Sequence, residues 1–268
     1  MMLLWLVFFL FILGAADALA DNRFSVGVER LNDRYKEPSA TVDVSTNYGS
    51  ATASYEHSKN GFFSAIDGRY SSGKEDYKSD SGTLNGEPSL ETEFRLRAGF
   101  DIPTTVWHGH LMPYMGVGWR YYFDQGKGLA TNTGSLAYDR HISQFYIPVG
   151  GTWRITSGNW IFSPNLEGDM LFYGQVNTHF QPIDPSLAPS DQEPNITNQQ
   201  HTGWGLRGEF MSGQQYKSFG WEAGPFVRYW HISDSNCKVT ANSTASGTCL
   251  LEPENTRLQA GAALRLNF

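Results

Sequence analysis

The chain has 268 residues, a formal net charge of −7 and a mean hydropathy of −0.39. No block of Lys or Arg occurs, which argues against a nucleic-acid partner. Only one long apolar run exists, at the N-terminus, so a polytopic helical membrane protein is excluded. Glycine and aromatic residues are abundant and long helix-forming stretches are lacking, which points to an all-β chain.

Residues 1–20 read as a secretory signal peptide. Met1 to Leu13 are apolar, and small residues lead to Ala18-Leu19-Ala20, an A-x-A cleavage pattern. The run is short of the ~20 residues that span a bilayer as a helix. The n-region carries no Lys or Arg, a departure from the usual layout. Residues 21–268 are then expected to form one domain.

That domain reads as ten strands, each alternating apolar and polar residues. The first, RFSVGVE, sets Phe24, Val26 and Val28 against Ser25, Gly27 and Glu29. SATASYE and FFSAIDGRYS follow, with Glu56, Asp67 and Arg69 on their polar faces. LETEFRLRAGFDI sets Leu90, Phe94, Leu96, Ala98 and Phe100 against Glu91, Glu93, Arg95, Arg97 and Asp101. LMPYMGVGWRYYFD and SQFYIPVGGTWRI put Arg120, Asp124 and Arg154 on the polar side. IFSPNLEGDMLFYG and TGWGLRGEFM add Glu167, Asp169, Arg207 and Glu209, and FGWEAGPFVRYWHIS adds Glu222 and Arg228. RLQAGAALRLNF closes the chain with Arg257 and Arg265 opposite Leu258, Leu264, Leu266 and Phe268.

Short turns are expected near residues 60–61, 107–110, 157–159 and 214–218. Longer polar loops are expected near 38–48, 79–88, 125–141, 180–200 and 235–254. The loop 180–200 carries Pro182, Pro185, Pro189 and Pro194. Cys237 and Cys249 bracket a short polar segment, and in an exported chain a disulfide between them is expected.

The polar faces carry Arg, carboxylates and Gly but no Lys, whereas the lysines sit in loops, turns and strand ends. Arg suits a confined polar interior because its planar fork pairs bidentately with carboxylates. Tyr121, Phe123, Phe145, Phe172, Tyr173, Tyr229 and Trp230 adjoin the long loops, and Trp107, Trp153, Trp160 and Trp221 adjoin the short turns. Two aromatic girdles around an apolar band mark a membrane barrel, apolar outside and polar inside. Hydrocarbon offers no partner to an open sheet edge, so the sheet must close. The fold expected is a single antiparallel up-and-down transmembrane barrel, with both termini at the short-turn, periplasmic end.

The alternating C-terminal run ending in Phe268 resembles the signature of Gram-negative outer-membrane β-barrel proteins. That resemblance implies a bacterial outer-membrane location, outer-membrane lipids as surroundings, and reading of the last strand by the barrel-assembly machinery. The carboxylates, with Glu29 on the first strand, nearly balance the arginines across the lumen. They imply either an Arg–carboxylate network that plugs the tube or a narrow porin-like channel. Wide aqueous channels belong to ~16–18 strands. The long loops offer a surface for an extracellular ligand.

Two enzyme resemblances bear on the outer rim. His231-x-Ser233, with Glu252 or Glu254 nearby, resembles the site of outer-membrane lipid A 3-O-deacylases, where a His base, a Ser nucleophile and an orienting carboxylate act together. In that family Asn-Ala-Gly follows the Ser; here Asp234-Ser235-Asn236 follows. Asp76, Asp80, His231 and Asp234 supply the residue types of omptin proteases without that family's local motifs. No cofactor is expected. His108 and His110 read as turn residues, because two ligands alone do not make a metal site.

Overall fold

The computed structural model describes residues 21–105, 109–180, 195–239 and 249–268. Residues 1–20, expected above to be a signal peptide, and Trp107, His108, Pro182, Pro185, Pro189 and Pro194 lie outside these residues. The strands are β1 (Asp21–Glu37), β2 (Val42–Lys59), β3 (Phe62–Ser79), β4 (Gly82–Phe100), β5 (Ile102–Thr104), β6 (Gly109–Gln125), β7 (Asp139–Ser157), β8 (Trp160–His179), β9 (Ile196–Gln200), β10 (Gly203–Gln215), β11 (Gly220–Ile232), β12 (Lys238–Val239), β13 (Cys249–Leu250) and β14 (Asn255–Asn267).

Ten of these close a ring in the order β1-β2-β3-β4-β6-β7-β8-β10-β11-β14. The last strand pairs antiparallel with β11 on one side and β1 on the other, so no edge is left open. β5 prolongs β4 along β6, and β9 prolongs β10 along β8. The C-terminal residue completes the seam: Phe268 N–H donates to Phe24 at 2.8 Å, and Phe24 N–H donates back at 3.1 Å. β12 and β13 form a separate small hairpin beside the Cys237–Cys249 disulfide, whose Cα atoms are 5.4 Å apart.

Burial is inverted relative to a soluble protein. On β8, Leu166 is 70% exposed and its neighbour Glu167 only 1%. Val28, Leu96, Met115, Val149, Met170 and Leu206 all face outward, while Glu91, Glu93, Asp169 and Arg207 are buried inside. Apolar side chains left in water on every strand would be unstable, so this face belongs in hydrocarbon. The outward apolar belt reaches Val28 on β1, Tyr70 on β3, Leu90 on β4 and Phe123 on β6. Above it, at the end away from the termini, Arg30, Arg34, Lys74 and Lys78 face out and are exposed.

Three sequence expectations need correction. First, 38–48 and 79–88 are not long loops: the strands run on, leaving tight turns at 38–41 and at 80–81. Strands of 17–20 residues are about twice the ~9–11 that cross a bilayer, so this end projects well past the belt. Second, 196–200 is strand β9 rather than loop, and a bulge in β8 beside Phe145/Tyr146 resets the register there. Third, Trp230 is not a girdle residue. It is 2% exposed, points inward and packs edge-on against Tyr146 with ring centroids 5.2 Å apart.

Candidate functional site in the barrel interior

The interior is crossed by bonds between strands far apart in the ring. Arg154 of β7 binds Glu56 of β2 at 3.0 Å. Arg207 of β10 binds Glu93 of β4 through both Nη atoms. Gln259 of β14 donates to Glu91 of β4 at 2.8 Å. Each pair sits four places apart in a ring of ten, close to a full diameter.

Around these bridges the sequence-predicted lumen residues assemble as pairs. Arg69 forks onto Glu91 at 3.0 and 2.6 Å and reaches Glu93 at 3.2 Å. Arg95 holds Glu167 at 2.9 Å, and Arg97 holds Asp67 at 2.7 and 2.9 Å. Arg207 also contacts Asp169 at 2.7 Å and the Tyr146 hydroxyl at 3.0 Å. Arg228 forks onto Glu29, and Arg265 onto Glu209. Arg23 binds Glu222, and Arg257 lies 3.5 Å from Asp33. Arg120 instead donates to Gln144 at 3.0 Å and lies 3.9 Å over the Trp230 ring. Asp101 sits apart, at the short-turn rim, hydrogen-bonded to His110 at 2.6 Å. Glycine makes room for the aromatic layer: a Cβ on Gly118 would fall 2.1 Å from the Tyr146 ring.

The packing leaves two chambers. One, of about 160 Å³, lies toward the termini and is lined by Arg23, Glu56, Arg97, Arg154 and Arg265 among others. The other, of about 300 Å³, lies beyond the apolar belt at the far end. Between them the void shrinks to about 20 Å³ beside Arg120, Tyr122 and Trp230.

The outer chamber is roofed from two sides. The segment between β6 and β7 folds back on itself, with Ala137 N–H donating to Leu129 at 3.0 Å and Thr131 N–H to Ser135 at 2.8 Å. It is clamped to the β3–β4 turn: Asn132 N–H donates to Thr83 and Thr83 N–H to the Asn132 side chain, both at 2.9 Å. From the other side, Asn236 N–H donates to Gln199 at 2.9 Å, and the Asn236 side chain accepts from Gln199 N–H at 2.7 Å. This course turns Glu252 inward, where it pairs with Arg140 and accepts from the Tyr35 hydroxyl at 3.3 Å.

Within the chamber wall, Glu75 and Glu87 are cross-strand partners, and Ser89 of β4 pairs with Asp124 of β6. Ser89 donates to Asp124 at 3.2 Å, and Glu75 accepts a long 3.4 Å bond from Tyr48. Burial, followed by the nearby Asp124 charge, pushes Glu75 up to about 8 and Glu87 up to about 7. Both lie past Leu90, outside the membrane-spanning part of the strands.

The predicted rim residues do not come together. His231 faces outward against Trp204, ring centroids 5.9 Å apart, while Glu252 is committed to the interior. Among the described residues no hydrogen bond joins His231 to Ser233 or Glu252. Asp76 is exposed on β3, Asp80 lies in the β3–β4 turn, and Asp234 accepts from Glu254 N–H in the connection after β11. β3 and β11 stand four places apart in the ring. The chamber residues Glu75, Glu87 and Arg140, and the inward Asp33 and Glu37 of β1, are not among the residues expected from the sequence. A signal was present in charge: Arg30, Asn32, Arg34 and Lys36 alternate with Leu31, Asp33, Tyr35 and Glu37, basic out and acidic in.

No protein-family model matches the sequence, and no curated protein matches it. The fold does have solved counterparts. It is similar to the outer membrane protease OmpT from Escherichia coli, with a TM-score of 0.55 at 9% identity over 92% of this chain and 96% of that one. The translocator domain of the autotransporter NalP from Neisseria meningitidis gives 0.44 at 9% identity, over 92% and 88%. Closed ring, inverted burial and the likeness to OmpT agree: the chain folds as an outer-membrane-type transmembrane β-barrel of ten strands.

Proposed function

We propose that the protein is a plugged, surface-exposed barrel of a bacterial outer membrane that binds a ligand at its outer end and does not conduct solutes. The observation that carries this reading is the set of bridges Arg154–Glu56, Arg207–Glu93 and Gln259–Glu91 across the lumen. A porin-like channel would need these to part together, each leaving charge or polar groups unpaired in a confined space. Residues 1–20 would be removed on export. Phe268 would serve the barrel-assembly machinery, the short turns would face the periplasm, and the chamber would open to the outside. The scattered positions of Asp76, Asp80, His231 and Asp234 give no support for carrying over the proteolysis named for OmpT.

Liposome swelling tests this. Vesicles carrying the folded barrel should swell in small sugars no faster than empty ones. Swelling at a rate that grows with the amount of protein would contradict the reading.

A further inference from the structure

We propose that the outer chamber binds a small primary amine with an apolar body, its ammonium held among Glu75, Glu87 and Asp124. This rests on reading the barrel as a binding protein, and it names the ligand class.

Two guanidiniums line the chamber, and each already has its own partners. Arg257 lies by Asp33 and stacks 3.9 Å over the Tyr122 ring. Arg140 is bound by Glu252, with Glu37 close by through Tyr35. Glu75, Glu87 and Asp124 are left over, on three adjacent strands, and among the described residues no salt bridge reaches them. Glu75 is 5% exposed and Asp124 6%, so water screens them poorly. Like charges directly opposite on paired strands repel, as Glu75 and Glu87 do here. Burial, followed by the Asp124 charge, raises the proton affinity of both, and protonation thins the negative charge crowded there. A bound cation would provide the same relief at neutral pH.

The shape selects the kind of cation. Among the described residues no group of three His, Cys, Asp or Glu side chains is placed to hold a metal ion. An organic ammonium also gains from aromatic faces. Tyr77 and Tyr138 supply such faces, and Val44, Leu84 and Leu136 supply an apolar wall for the rest of the molecule.

Calorimetry on the full-length folded barrel in detergent, with benzylamine as probe, tests the proposal. Binding should release protons and be about tenfold tighter at about pH 8.5 than at about pH 6, as the carboxyls ionise. The other titratable groups nearby are Asp33, Glu37, Asp139, Glu252, Arg140, Arg257, Tyr35, Tyr48, Tyr77 and Tyr138. Neutral benzyl alcohol should bind at least about tenfold more weakly. Glu87→Gln should cost about tenfold in affinity. Leu136→Trp, which fills the chamber from an exposed roof residue and leaves every carboxylate in place, should abolish binding. No binding at about 10 mM benzylamine, equal binding of benzyl alcohol, or full affinity in both variants would each overturn it. None of those results bears on whether the lumen conducts, so the two readings fail separately.

Discussion

Arg207 shows what single residues contribute here. Its guanidinium serves Glu93, Glu167, Asp169 and the Tyr146 hydroxyl, and its side chain is 7% exposed. Removing one partner of such a cluster strands a buried charge, a loss of about 3–5 kcal/mol. Glu93→Ala is therefore expected to lower unfolding stability in lipid vesicles by that amount, read from urea titration. Exposed Asp43, paired at the surface with Arg34, should matter far less. Glu75 and Glu87 give a second residue-level expectation. Their folded pKa values are raised, so the folded chamber holds protons that the unfolded chain has released. The stability they contribute is complete below about pH 4.5 and is lost as pH rises through about 7 and 8. Protection of the roof segment 126–138 from hydrogen exchange, corrected for the intrinsic base-catalysed rate, should accordingly fall between about pH 5 and about pH 8 in the ligand-free protein. Protection that held or rose over that range would contradict the assignment.

At the level of elements, the alternation of hydropathy marked every strand where it crosses the belt. In Glu91 to Phe100 and Arg257 to Phe268 each predicted inward residue is less exposed than its outward neighbours. The method failed past the belt for a physical reason. There the outer face meets water instead of lipid, so both faces are polar and hydropathy loses its period. Hence 38–48 and 79–88 looked like loops although they are strand ends around tight turns. The interior pairs were legible as residue types, because Arg without Lys signals a confined space. Their partners were not, because Arg207–Glu93 joins positions 114 residues apart across a closed ring. The rim residues misled for the opposite reason: Glu252 is near His231 in sequence, but the chain turns it inward to Arg140. The last strand carries its own expectation. Phe268 hydrogen-bonds to Phe24 across the seam and its ring lies 5.8 Å from Phe219. Deleting Phe268 should lower the yield of inserted, heat-modifiable barrel and raise the amount of degraded chain. An undiminished yield would separate the C-terminal pattern from assembly.

For the whole molecule, the fold is a tube turned inside out: apolar toward lipid, ionic within, and extended beyond the membrane at one end. The ionic interior need not be a source of net stability, since burying charge is itself costly. Its effect is to fill the lumen with bonds that hold opposite walls together. The larger voids named above lie toward the termini and beyond the belt, and the space beside Arg120, Tyr122 and Trp230 is only about 20 Å³. Planar-bilayer recording of the purified barrel tests that central claim most directly. The wild-type protein should show no steady conductance, and a double substitution of Glu56→Ala with Arg154→Ala, which removes both ends of a cross-lumen bridge whose charges pair with each other, should raise the frequency of openings. Steady, reproducible unit conductance from the wild-type protein would contradict the account.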